Sequence, residues 1–257
     1  MSFQPLVGAG GYAGWRLLSR TVEAQKAVIA RDPAVARDSQ HVRTEIGKLE
    51  SAEQLVSDFR LLRTTLSAFG LEADVNKKAF IRKVLDSDPA DPKSFANRLS
   101  DKRYRALAEA MQFGSRNGRP AGLGDRIVER HVAAELERRV GTVDGNLRLA
   151  LNAQRELVGL GNSGTSENAR WYAVLGSLPL RKVVEGALGL GSSFGKMPID
   201  RQMEELKSRA ERQLGIKAPS DFADPAVVEK VVQRFLLRAD AVTQPQSSYN
   251  IALALLS

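Results

Sequence analysis

Four groups of residues in this 257-residue chain have types and spacings that could do chemistry. Gly191-Ser192-Ser193-Phe194-Gly195 matches G-x-S-x-G, in which a tight strand-to-helix turn offers a serine nucleophile to a histidine base placed later in the chain. No strand pattern precedes it, and the two histidines, His41 and His131, both lie upstream. The segment therefore reads as a flexible loop. The same loop runs into Gly195-Lys196, as a phosphate-binding P-loop would. That loop needs glycine at position 190 and serine or threonine at 197, where this chain has Leu190 and Met197. Gly8-Ala9-Gly10-Gly11-Tyr12-Ala13 has the glycine spacing of a dinucleotide fingerprint, but no βαβ pattern surrounds it, so a mobile N-terminus is expected. His131 and Glu135, four residues apart, share one helix face and read as a surface ion pair. His41 reads as solvated.

Composition narrows the chemistry further. Cysteine is absent, which removes disulfides, thiolate metal sites and a thiol nucleophile. Two histidines are too few for most zinc or acid–base sites. No paired-carboxylate site stands out. No catalytic, cofactor-binding or metal residue is assigned, and the chain is read as a non-enzyme. The formal charge is +8, which raises the question of nucleic acid. Divided at 46, 115 and 160, each of four successive blocks carries an excess of two cations. No arm gathers the charge, so nucleic acid is disfavoured. No apolar run approaches the ~18 residues of a membrane span, and MSFQPLVGAGGYAGW lacks the basic and apolar regions of a Sec signal peptide.

The elements available to position any site are helices. Trp15, Leu18, Val22 and Ile29 recur at helical spacing, as do Val35, Val42, Ile46 and Leu49. Asp32-Pro33 reads as a cap followed by a first helical residue. Ser51 and Gln54 fit a capping box before Leu55, Phe59, Leu62, Leu66 and Phe69, with Gly70 as the stop. From Ala79 to Gly114 the punctuation is dense. Phe80, Val84 and Leu85 start one helix, Asp91-Pro92 opens a short one, and Ser100 caps another carrying Tyr104, Leu107 and Met111. A long helical pattern runs from Asp125 to about Val158, weakened near Gly141 and Gly145. Further helices follow around Trp171–Leu175, Leu180–Leu188, Ile199–Leu214 and Pro225–Leu237. No alternating strand is found, so the expected fold class is all-α.

Part of the pattern recurs. Leu61, Ala68, Gly70, Leu71 and Arg82 return 119 residues later as Leu180, Ala187, Gly189, Leu190 and Arg201, and Asp91-Pro92 returns as Asp224-Pro225. The expectation is a single multi-helical domain over 1–245. It holds two similar lobes, roughly 32–114 and 125–240, related by internal duplication and joined by a linker at 115–124. A tail follows at 246–257.

The chain resembles an uncharacterised family of alphaproteobacterial proteins, a conserved domain of unknown function. Ser51-to-Leu71, Lys78-to-Leu85, Asp91-Pro92, Phe95-to-Leu99 and Asp101-to-Tyr104 carry the resemblance in the first half. Arg148-to-Leu151, Leu180-to-Val184, Ala187-to-Gly189, Asp224-Pro225 and Gln233-to-Phe235 carry it in the second. The resemblance implies an all-α fold and genes that often lie in flagellar or motility clusters. It supplies no catalytic residues and no cofactor.

The functional expectation is a structural, assembly or accessory protein of the flagellum, acting through protein–protein contacts and possessing no enzymatic activity. It would be cytoplasmic, or exported by the flagellar secretion system, where the absence of cysteine leaves no disulfide to obstruct passage. A basic nucleic-acid-associated regulator is the alternative, and an enzyme using carboxylates or an unseen cofactor is the weaker one. The candidate interaction residues are Ile251, Leu253, Leu255 and Leu256, because six mostly apolar residues left exposed would be unusual. A fold-back of this segment onto the body is the competing reading.

Overall fold

A computed structural model of the chain describes residues 3–114 and 120–243. The first helices are α1 (Gly11–Ala30), α2 (Pro33–Glu45), α3 (Ala52–Ser57), α4 (Phe59–Ala68), α5 (Lys78–Leu85), α6 (Phe95–Arg98) and α7 (Lys102–Met111). They are followed by α8 (Leu123–Gly141), α9 (Gly145–Gly161), α10 (Glu167–Gly176), α11 (Leu178–Leu188), α12 (Ile199–Leu214) and α13 (Pro225–Thr243). Among the described residues there is no strand, so the protein is all-α.

Two compact units divide the chain. The first comprises Thr21–Arg139 with the residues before Leu6. The second comprises Leu6–Arg20 with the chain from Val140 onward. The divisions fall inside α1 and inside α8, whereas the sequence places its linker at 115–124. Residues 115–119 lie outside the described residues, and Leu123 and Gly124 already belong to α8.

In the first unit α2 packs on α4, α3 on α4 and α5, and α5 on α6 and α7. Val42, Leu55, Leu62, Leu66, Ile81 and Leu107 are fully buried between them. In the second unit α9 packs against α11, α13 and the 3-10 turn Pro219–Ala223. Trp171 and Phe222 meet there edge to face, 6.1 Å between ring centres. The buried Trp15 donates its indole N–H to the Glu229 carboxylate at 3.0 Å.

Carboxylates decide where several helices begin. The first amides of a helix have no partner within it, and an aspartate side chain just before it supplies one. Asp32 accepts from Ala34 N–H, with Pro33 in the first turn as expected. Elsewhere the boundaries differ from the sequence reading. The stretch after Ser51 is two helices rather than one, because Asp58 leaves helical geometry and accepts from Leu61 N–H at 2.9 Å. Phe59, expected on the buried stripe, consequently lies outside and is 51% exposed. Asp101, not Ser100, caps α7 through Arg103 N–H, its carboxylate also held by the Arg103 guanidinium. Asp91-Pro92 makes a turn rather than opening a helix. The Asn97 side chain gathers that turn by donating to the carbonyls of Pro89 and Asp91, and α6 starts only at Phe95. Asp144, capping α9 through the amides of Asn146 and Leu147, cuts the long pattern after Asp125 in two.

The Gly70 stop matches its sequence reading, and Gly189 ends its helix in the same way. Gly70 (φ +68°) and Gly189 (φ +62°) take the left-handed conformation past α4 and α11. In both, the following residue closes a six-residue hydrogen-bonded loop, Leu71 N–H to Leu66 O at 2.8 Å and Leu190 N–H to Glu185 O at 2.9 Å. A Cβ is costly in this conformation, by about 1–2 kcal/mol. Gly70→Ala is therefore expected to lower stability by roughly that amount. Gly189→Ala should cost about the same, because the added Cβ there meets only the tip of the exposed Arg238 side chain, which can swing aside, and at Gly70 the nearest atom belongs to Arg103 at 3.4 Å. Urea unfolding midpoints that fall by similar amounts in the two variants check this.

Candidate functional site

The residues that looked chemical in the sequence are occupied in structural work. The amides of the glycine-rich N-terminus, which a dinucleotide phosphate would need, face carboxylates instead. Gly11 N–H donates to Asp144 at 3.4 Å and Tyr12 N–H to Asp240 at 3.3 Å. The expected mobile N-terminus is thus the anchored start of α1, since a helix N-terminus attracts negative charge. Ser192 and Ser193 are exposed on a loop with no strand before it. In the same loop Phe194 is buried with the Arg181 guanidinium over its ring, 5.7 Å from the centre. Ile251, Leu253, Leu255 and Leu256 lie outside the described residues.

Both histidines differ from their sequence reading. His41 is half-buried, its Nε2 2.6 Å from the Asp58 carboxylate that caps α4. Burial pushes the Asp58 carboxyl up, but the Leu61 amide and His41 hold it below its usual range. His131 is no surface partner of Glu135. It is 7% exposed, with Nδ1 3.1 Å from the buried Ser67 hydroxyl and Nε2 without a partner among the described residues. Glu135 instead pairs with Arg138 at 2.7 Å and Arg139 at 2.8 Å, and Arg139 also reaches Asp32 at 2.9 Å. Burial pushes Glu135 up, yet the two arginines hold it below the ordinary carboxylate range. A second ion cluster joins α2 to α4, where Asp38 takes Arg63 at 2.7 Å and Arg60 at 3.6 Å.

This seam places a serine beside a histidine, but on Nδ1 and with both groups buried, so no substrate carbonyl has a route to the hydroxyl. Ion pairs here neutralise one another inside the unit. Among the described residues no group of three or more histidine or acidic side chains could hold a metal ion. A hollow of about 430 Å³ lies between Arg43–Gly47 and Pro120–Asp125. It borders residues outside the described ones and contains the Arg43–Asp125 pair at 2.8 Å.

Unsatisfied apolar surface concentrates at one corner of the second unit. Leu178, the first residue of α11, is 81% exposed, and Ile199, the first of α12, is 47% exposed. One turn further along each helix, Arg181 donates to Gln202 at 2.9 Å. At the other end, Arg209 of α12 donates to Gly189 O. The two helices therefore run side by side in one direction, and Leu178 and Ile199 crown the same end. Tyr172 joins them, its hydroxyl donating to Asp200 at 2.9 Å. In the first unit Phe80 packs edge-on against Phe95 and Tyr104, and Lys83 lies 4.5 Å from the Phe95 ring centre. That cluster covers its own aromatic surface. Sequence reasoning missed Leu178. The signal available was an apolar residue directly before Pro179, in a first helical turn that no partner strand or helix demanded.

Fold and surface together define an all-α, multi-helical protein. The chain belongs to the DUF1217 family, proteins of unknown function, whose model matches residues 68–228. It is similar to the crystal structure of protein AGR_C_984 from Agrobacterium tumefaciens at 26% identity and a TM-score of 0.75. That match covers 93% of this chain and 96% of the other. No curated protein matches. The expected resemblance to an uncharacterised alphaproteobacterial family is thereby met. No helix among the described residues is long and apolar enough to cross a membrane.

Burial lowers the pKa of His131, against the opposing pull of Glu135, Asp38 and Glu72. The folded chain then binds this proton less tightly than the unfolded chain, so stability is full above the unfolded value near 6.5 and is lost as pH falls below it. Urea midpoints should decline from about pH 6.5 downward. That decline should flatten in His131→Gln, while the loss near pH 4 from paired carboxylates such as Asp32 and Asp74 stays in both proteins.

Proposed function

We propose that this protein is a non-enzymatic assembly or accessory factor that works through protein–protein contacts and serves the bacterial flagellum. The observation that carries the contact reading is the apolar corner of Leu178, Ile199 and Tyr172. A leucine four-fifths exposed beside two more large side chains is surface that binding would remove from water. The internal pairing of the charged residues that could do chemistry supports the absence of catalysis. The flagellar assignment rests on the motility-cluster genes of the family the sequence resembles, and it places the protein in the cytoplasm or, after export, in the flagellum.

The same proposal treats the two units as copies of one helical pattern. Several local pairs 119 residues apart support it. Asp58 and Ser177 each stand between two successive helices, and Phe59 and Leu178 are exposed directly after them. Gly70 and Gly189 end those helices identically.

In a pull-down from motile cells, the wild-type protein is expected to retain a flagellar protein, and Leu178→Asp to lose most of it. Unfolding should be unchanged in the variant, because an exposed aspartate in a first helical turn is favourable. A deletion strain that swims and builds filaments normally would remove the flagellar assignment. Equal recovery by both proteins would remove the corner.

A further inference from the structure

We infer that the apolar corner of the second unit receives the C-terminal segment Ile251–Leu256 of a second copy of this chain, so that copies associate tail to corner. The inference rests on the corner being a protein-docking surface and names its occupant.

Three observations lead to it. The first is chemical match. Leu178 and Ile199 present aliphatic surface with the Tyr172 ring beside them. The residues beyond Thr243 contain no Asp, Glu, Lys or Arg, and Ile251, Leu253, Leu255 and Leu256 supply aliphatic side chains of the same kind. The positive ends of α11 and α12 at the corner would disfavour a cationic ligand and leave an uncharged one unopposed.

The second observation is polarity. The corner lies at the N-terminal ends of α11 and α12. The chain leaves the second unit from the far end of the same assembly. Arg234 of α13 donates to Ala187 O at 2.8 Å, and Gly189, at the end of α11, lies against Arg238. Tail and corner are thus separated by about the length of α11, whose 11 residues span roughly 16 Å. Tail and corner at opposite ends of one unit suit a contact between copies. Such a heterologous contact extends head to tail unless its rotation closes a ring. A tail that doubles back onto its own corner is the outcome in which the full-length protein stays at one-chain mass.

The third is reach. Seven residues, Gln244 to Asn250, separate the last described residue of α13 from Ile251 and contain Pro245. Fully extended they cover at most about 23–25 Å, more than the length of α11, so the linker does not confine the tail to its own end of the unit.

The test is complementation between two variants followed by light scattering. The full-length protein should rise above the mass of one chain as concentration increases. A chain ending at Thr243 keeps the corner and lacks the tail. Full-length Leu178→Asp keeps the tail and spoils the corner. Each alone should remain at one-chain mass, with association weakened at least about tenfold. Mixed in equal amounts, one tail and one corner remain, and the mixture should reach the mass of a pair. A mixture that stays at one-chain mass, or full-length protein that never exceeds it, overturns the inference. If Leu178→Asp also loses a cellular partner while the mixture stays monomeric, the corner serves another protein and only its assignment to the tail fails. If the mixture pairs but no cellular partner depends on Leu178, the tail contact stands and the wider adaptor reading fails.

Discussion

Every helix begins with amides that its own turns cannot satisfy, and this fold uses carboxylates to satisfy many of them. Asp32, Asp58, Asp101 and Asp144 each accept a backbone N–H at a helix start. Asp144 and Asp240 together hold the first amides of α1. Where these side chains stand, the chain turns, and the turns set which helices pack. Asp58 is the clearest case. Without its departure from helical geometry, α3 and α4 would be one rod, and α3 could not lie against both α4 and α5.

The same commitment shapes the ionisable groups. A carboxylate held by a cap amide or an arginine is stabilised as the anion, which makes it a weaker general acid or base near neutral pH. Glu135 is depressed by Arg138 and Arg139, and Asp74 by Lys77 and Tyr104. The hydroxyl of Tyr104 is in turn pushed up to about 12 by burial and by Asp74. Shifts of this kind can mark active sites, but here each perturbed group faces a partner in its own unit rather than an open cleft. Buried ion pairs contribute little net stability, yet losing one partner is costly. The seam of Asp32, Glu135 and Arg139 therefore fixes how α2 and α8 meet more than it strengthens the fold.

Much of the architecture was legible in the chain itself. Helical spacing of Leu55, Leu62 and Leu66 carried the core of the first unit, and Gly70 carried the stop of α4, because left-handed backbone favours glycine. Errors arose where two side chains competed to cap one helix. Ser100 and Asp101 are adjacent, and the choice was made by the Arg103 guanidinium. Asp91-Pro92 has the form of a helix start, but the Asn97 amide, six residues on, draws its carbonyl into a turn.

The candidate site divides in the same way. Sequence by itself determined the all-α class, the helix periodicity, the absence of thiol chemistry and the apolar character of Ile251–Leu256, since these depend on residue type and local spacing. Only the tertiary structure decided exposure. Phe59 and Leu178 have the composition of core residues and became surface because each follows a cap that turns its helix start outward. His131 has the spacing of a surface residue and became core because Ser67 of α4 lies across from it. Burial is a property of what packs against a residue, and no local pattern contains that neighbour.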